Sequence, residues 1–275
     1  IGITQGRIAL ARILAVTNQK GGVGKTTTAV NLSACLAALG QRVLMIDLDP
    51  QGNATTGCGV LKREALPTVY QILIGRSALM DTRIPTDFGF DILPANRELA
   101  GAEVELIEMD GREYRLRDAL MPVVDAYDFV LMDCPPALNM LTVNGLAAAQ
   151  AVMIPMQCEY YALEGLTDLV ATLKKVRANL NPKLEIEGLL RTMFDPRSTL
   201  TQQVSGELVE HFGDKVYRTI IPRNVRLAEA PSYGKPVIAF DRLSRGAQAY
   251  SALAQELLDR RDGIVRPSAE QGVQE

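Results

Sequence analysis

Ile13-Leu-Ala-Val-Thr-Asn-Gln-Lys20-Gly-Gly-Val-Gly-Lys25-Thr-Thr-Thr-Ala-Val30 sets the fold of this chain. The apolar run Ile13–Thr17 reads as a short buried strand. Apolar residues recur at helical spacing from Thr28 to Leu39. A glycine-rich loop between a strand and a helix is a phosphate cradle. Its glycines let backbone N–H groups turn inward, and the helix N-terminus adds partial positive charge. Gly21, Gly22, Val23 and Gly24 supply that loop, and Thr27 continues it into the helix. Lys25 is placed to reach the β and γ phosphates, and the Thr26 hydroxyl to ligate Mg²⁺. The general P-loop pattern has a glycine where Gln19 stands, and Lys20 adds a second lysine inside the loop.

Working outward, Gly40 ends the helix and Arg42–Asp47 is a second strand. Strand, helix and strand in so short a stretch form a βαβ unit with parallel pairing. Its turns bring Asp47, Asp49 and the loop to the carboxyl edge of one sheet, where α/β ligands bind. Asp47-Leu-Asp-Pro-Gln-Gly-Asn53 alone would be a favourable turn. After a phosphate loop it becomes chemistry. Asp47 belongs in the magnesium shell, directly or through water, and Asp49 is placed to orient or deprotonate an attacking water. Tyr127–Asp133 is a buried strand ending in a carboxylate, the Walker B pattern. Asp133 there holds Mg²⁺ through water or a hydrogen bond.

The remaining pattern is α/β throughout. Thr68–Leu73, Arg115–Val124, Leu141–Ala149, Glu159 to about Asn179, Leu200–Phe212 and Tyr250–Arg261 read as helices. Phe90–Pro94, Ala151–Met156, Ile186–Met193 and the edge segment Val216–Ile221 read as strands. The expected architecture is one doubly wound, mostly parallel sheet of the P-loop NTPase type with helices on both faces. Residues 1–12 are expected to be a flexible leader, 13–261 the ATPase domain and 262–275 a disordered tail. There is no internal repeat.

Composition excludes several classes. The net charge of −3 is not that of a polycation, so nucleic-acid contact requires a local basic face. No apolar run reaches the roughly 18 residues of a membrane-spanning helix. Four cysteines without C-x-x-C spacing and a single histidine, His211, give no zinc site. Reduced thiols and a cytoplasmic setting follow.

The motifs Lys20–Thr27, Asp47–Asn53, Asp133-Cys-Pro-Pro136, Glu159–Gly165 and Ile221-Pro-Arg-Asn-Val-Arg-Leu-Ala-Glu-Ala-Pro231 together resemble the ParA/Soj chromosome-partitioning ATPases. The likeness runs from about Ile13 to Leu258. The first motif resembles the deviant Walker A loop of the ParA/MinD class. The resemblance implies ATP and Mg²⁺ as cofactors and an ATP-dependent homodimer in which Lys20 reaches phosphates held by the other subunit. Glu159–Gly165 would contribute to the dimer face, and Pro222 and Asn224 would cup the adenine. It further implies non-specific binding to duplex DNA, nucleoid association and slow hydrolysis stimulated by a ParB-type partner. Lys20, Lys25 and Asp49 are then the catalytic set.

The charge pattern permits the DNA role. Residues 190–247 carry nine Lys/Arg against six Asp/Glu. Arg191, Arg197, Arg218, Arg223, Arg226, Lys235, Arg242 and Arg245 are the candidates for phosphate contact, and the resemblance favours Arg197 and Arg226. The alternative is a MinD-like ATPase that positions protein cargo or division machinery. It expects a basic amphipathic C-terminal helix, and Arg266–Glu275 has neither property. An iron–sulfur reductase with a similar loop needs a second cysteine near Pro94–Gly101, and none is there.

Overall fold

The structure, a computed structural model, describes residues 11–264. The expected leader, apart from its last two residues, and the tail beyond 264 lie outside the described residues, as does the C-terminal stretch that bears on the MinD-like alternative. Eight strands form one sheet in the order β3-β4-β2-β5-β1-β6-β7-β8. They are β1 (Arg12–Val16), β2 (Val43–Asp47), β3 (Ile84–Pro85), β4 (Asp91–Leu93), β5 (Phe129–Asp133), β6 (Ala151–Gln157), β7 (Glu185–Phe194) and β8 (Val216–Pro222). Every pairing is parallel except β3 with β4.

Parallel strands covered on both faces carry apolar residues almost continuously, and Val43-Leu-Met-Ile46 is buried throughout. Alternation then divides the side chains between two cores. Ile13 and Ala15 join one, and Leu14 and Val16 join the other. Helix Lys25–Ala38 and the closing helix Arg245–Arg261 lie in the second core. Helices Met140–Ala148, Ala162–Asn179 and Thr199–Phe212 cover the first. The helix after the phosphate loop is buried on most sides from Thr28 to Leu36, which explains its weakly amphipathic sequence.

The doubly wound sheet matches the expectation from sequence, with one difference in order. β1 and β2 are parallel but not adjacent, because β5 lies between them. This arrangement brings β5, which ends in Asp133, into register with both. Val16 and Asp47 are each Cα partners of Asp133. The strand after the loop helix therefore leaves room for the Walker B strand at the centre of the site.

Candidate functional site

The phosphate loop leaves β1 at Val16 and turns into helix Lys25–Ala38 through Gly24, whose φ is 89°. A residue with a Cβ is strained in that left-handed conformation. No side chain caps the helix, so its first N–H groups stay available. A side chain added at Gly21 or Gly22 would meet nothing within 4 Å, so the loop opens outward. Asn18 ties the loop to β6 by donating to the Pro155 carbonyl (2.9 Å), and it accepts from the Lys20 amide (3.0 Å).

The two loop lysines take separate partners. Lys25 is buried, and its ammonium donates to the Lys20 carbonyl at 3.0 Å. Burial lowers its pKa, and the carboxylates of Asp133 and Asp49 offset that in part. Lys20 points elsewhere: its Nζ lies 2.6 Å from Glu159 Oε2, just before helix Ala162–Asn179. Both side chains of that pair are about half exposed, 45% and 51%.

The acidic side of the site is buried. Asp47 accepts from the Thr55 amide (2.8 Å), the Thr55 hydroxyl (2.7 Å) and the Asp49 amide (3.1 Å). Burial raises its pKa to about 6 despite those donors. Asp133 is equally buried, yet neither carboxylate oxygen has a hydrogen-bond partner. Burial and the nearby Asp47 push its pKa well above the ordinary value, and Thr26 and Lys25 draw it back in part. Asp49 is half-buried; its Oδ1 accepts from the Gln51 amide at 2.9 Å. A buried carboxylate without donors is costly and is the kind of group a cation completes. Among the described residues no three His, Cys, Asp or Glu side chains form a ready metal cage. A cation here would need ligands from another molecule as well.

A cavity of about 190 Å³ adjoins the loop. Pro222 and Asn224 line it, together with Gly24, Thr27, Thr192 and Met193. The Asn224 side chain also caps the short helix Val225–Glu229 by accepting from the Arg226 amide. The structure thus brings the loop, Asp47, Asp49, Asp133, Pro222 and Asn224 to one edge of the sheet.

Sequence reasoning missed Thr55, which fixes Asp47, and Thr192 and Gln157, which touch the loop backbone. Thr192 and Gln157 sit at the carboxyl ends of β7 and β6. That position becomes informative only once the strand order is known.

The basic residues divide. Arg191 is a correction: only 8% exposed, it donates to Ser205 Oγ and to the Tyr217 and Arg218 carbonyls, so it cannot meet a phosphate. Its place in the interior of β7 explains this. Arg197 is 88% exposed and pairs with Asp195 through two 2.9 Å contacts. That guanidinium holds the Asp195 carboxyl down at about 2. Arg226 pairs with Glu229 (2.7 Å) and Asp241 (3.2 Å). Arg223, Lys235, Arg242 and Arg245 are exposed.

Comparison with known proteins adds three likenesses. Residues 11–186 match a family model described as an AAA domain. The chain is 52% identical over 252 residues to the chromosome partitioning protein ParA of Caulobacter vibrioides, covering 90% of this chain and 94% of that one. It is 53% identical over 249 residues to the sporulation initiation inhibitor protein Soj of Bacillus subtilis, covering 90% and 98%. A solved structure from Mycobacterium smegmatis, described as cobyrinic acid a,c-diamide synthase with bound ATP analog and magnesium, superposes with a TM-score of 0.81 at 38% identity. It covers 92% of this chain and 96% of that chain.

Proposed function

The chain belongs to the ParA/Soj family of P-loop ATPases, and from that premise we propose that it is a Mg²⁺-dependent ATP hydrolase working as a dimerising switch on DNA. Chromosome or plasmid partitioning is the process it serves. The observation that carries this reading is Asp133, buried and without a donor beside an uncapped helix N-terminus, with Asp47 in register. Mg²⁺ is characteristically bound by one or two carboxylates together with substrate phosphates. Asp133, the Thr26 hydroxyl and, through its remaining lone pair or water, Asp47 would hold it. When bound, Mg²⁺ neutralises charge on the phosphate oxygens. The M. smegmatis neighbour, which holds an ATP analog and magnesium, supports ATP and Mg²⁺ as the cofactors.

The chain's own residues do the rest. The N–H groups of Gly21–Thr27 cradle the phosphates, and Lys25 neutralises them from within the loop. Asp49 orients the attacking water with the carboxylate oxygen that the Gln51 amide does not use. Pro222 and Asn224 wall the adenine in the adjoining cavity. In the single chain Lys20 is engaged by Glu159, so its charge is not delivered to the chain's own loop. Turnover is therefore slow until a second subunit presents its triphosphate to Lys20 and a ParB-type partner accelerates hydrolysis. A second lysine beside Lys25 becomes favourable only when more anionic charge arrives.

Arg197 and Arg226 are the proposed DNA contacts. Their present partners are half-buried surface carboxylates, which a phosphate backbone can replace. The protein works in the cytoplasm on the nucleoid; no described helix is long and apolar enough to cross a membrane.

Duplex binding by the purified protein with no nucleotide, with ADP and with ATP, at two salt concentrations, tests the reading. Binding that needs ATP and weakens with salt is expected. Absence of binding in every state would remove the partitioning role and favour protein cargo, as in a MinD-like ATPase, while leaving the ATPase reading intact.

A further inference from the structure

Thr192 and Met193 are consecutive residues of β7, and an extended backbone would send them to opposite faces of the sheet. Met193 instead has a φ of 49°, and both side chains line the cavity beside the phosphate loop. Both also approach Gly24: Thr192 Cβ and Cγ2 lie 3.8 Å, and Met193 Cε 3.9 Å, from where a side chain on Gly24 would begin. A positive φ at a non-glycine residue persists only where its surroundings enforce it, and such residues gather at ligand sites.

Hydrogen bonds specify what is being held. The Thr192 hydroxyl donates to the Val23 carbonyl at 2.8 Å. The Gln157 amide donates to the Gly22 carbonyl at 3.3 Å and to Met193 Sδ at 2.7 Å. In a planar trans peptide the C=O of one residue and the N–H of the next point in opposite directions. Anchoring the Val23 and Gly22 carbonyls to the sheet therefore turns the Gly24 and Val23 N–H groups away from it, toward the open side of the loop. The neighbouring Arg191 ties the same strand end to β8 through the Tyr217 and Arg218 carbonyls. β8 ends at Pro222, on the far wall of the cavity. Three consecutive residues of β7 thus join the phosphate loop to the strand that carries the base wall.

We infer that Thr192 and Gln157 are positioning residues for the nucleotide: they aim the loop N–H groups at its phosphates and hold the cradle in fixed register with the base wall. This rests on the ATP reading above. It assigns Thr192 to the phosphate end of the ligand, although Thr192 lines the base cavity.

The test uses ADP and adenosine as probes, with affinity measured by calorimetric competition. Thr192→Val, which keeps shape and removes the donor, is expected to weaken ADP about tenfold and adenosine by less than about twofold. Thr192→Ser is expected to restore ADP affinity. Gln157→Leu, at a half-buried position, is expected to weaken ADP about threefold with adenosine unchanged, and it decides the matter if Thr192→Val does not fold. Unchanged ADP affinity, an equal loss for ADP and adenosine, or failure of Thr192→Ser to rescue would overturn the assignment. If the unaltered protein bound no ADP, the ATP reading itself would fall, and the assignment with it.

Discussion

Asp47 on β2 and Asp133 on β5 are register partners at the last paired position of two neighbouring parallel strands, and both are sealed from solvent. Asp47 has its charge answered by the Thr55 hydroxyl and by the Thr55 and Asp49 amides. Asp133 accepts no hydrogen bond at either oxygen and is tempered only by the nearby Thr26 and Lys25. Burial raises both pKa values, with Asp49 adding to that of Asp47 and Asp47 to that of Asp133, and on the proposed reading the ligand-free protein carries that cost at the cation position.

Asp133→Asn is therefore expected to stabilise the nucleotide-free protein at neutral pH while destroying Mg²⁺-dependent function. Removing a buried charge that accepts no hydrogen bond, net of the counter-charge that Lys25 loses, is worth roughly 1 kcal/mol, or about 2–4 °C in a chain of this size. Thermal unfolding with a chelator, alongside ATP turnover with Mg²⁺, would show a higher midpoint and lost turnover in the same variant. A lower midpoint would contradict the account.

The same pair sets a pH dependence with a definite sign. Both folded-state pKa values are raised, Asp47 to about 6, so the folded protein binds more protons than the unfolded chain between the ordinary carboxylate range and the raised values. This contribution favours folding as pH falls from neutral through about 6. Mg²⁺–ADP binding needs the charged carboxylates and should weaken over the same interval. The midpoint with chelator should hold or rise between about pH 7.5 and 5, while the added stabilisation by Mg²⁺–ADP shrinks.

Lys20 and Asp49 should separate binding from turnover. Asp49→Ala is expected to bind ATP and dimerise yet lose at least about 10²-fold in turnover, as loss of water positioning predicts. Lys20→Ala is expected to bind ATP as a monomer, because its proposed role is across the dimer. Light scattering with a non-hydrolysable ATP analogue, together with phosphate release, distinguishes them; a normal dimer of Lys20→Ala would end the cross-subunit assignment.

Arg197→Ala and Arg226→Ala should each weaken duplex binding for all sequences alike. Each should flatten the dependence of log affinity on log salt by about 0.9, the signature of one lost phosphate contact. Fluorescence anisotropy on two unrelated duplexes across a salt series is the measurement. An unchanged slope would place the DNA surface elsewhere.

Gly52 holds the Asp47–Asn53 turn in place. Its φ is 62°, and a Cβ there would lie 2.6 Å from the Ala95 carbonyl oxygen. Ala95 also donates from its amide to the Thr55 hydroxyl that fixes Asp47. Gly52→Ala should cost at least about 1–2 kcal/mol from backbone conformation alone, with the backbone clash added. Chemical denaturation would report that loss, and ATP turnover should fall with it as Asp47 and Asp49 shift.

The parts of the site legible in the sequence were those whose geometry is local. A strand, a glycine turn and a helix start within Ile13–Val30 are enough to make a phosphate cradle. The carboxylates at the ends of apolar runs, Asp47 and Asp133, could be read because a parallel strand ends at the ligand edge. Most helices and strands lie within a few residues of their expected bounds, since periodicity and caps act over single turns. The two-residue strand Ile84–Pro85 carries too few residues to show a period.

The sequence by itself determined that this chain is a doubly wound P-loop protein of the ParA/Soj family, with its loop and acidic residues at one edge. Only the tertiary structure decided that β5 enters between β1 and β2, that Arg191 is buried, that Lys20 rests on Glu159, and that Thr192 and Gln157 grip the loop. The difference is one of range. Local motifs follow from torsions and side-chain spacing a few residues apart, whereas strand order and the partners of a buried polar group depend on how distant segments share one core.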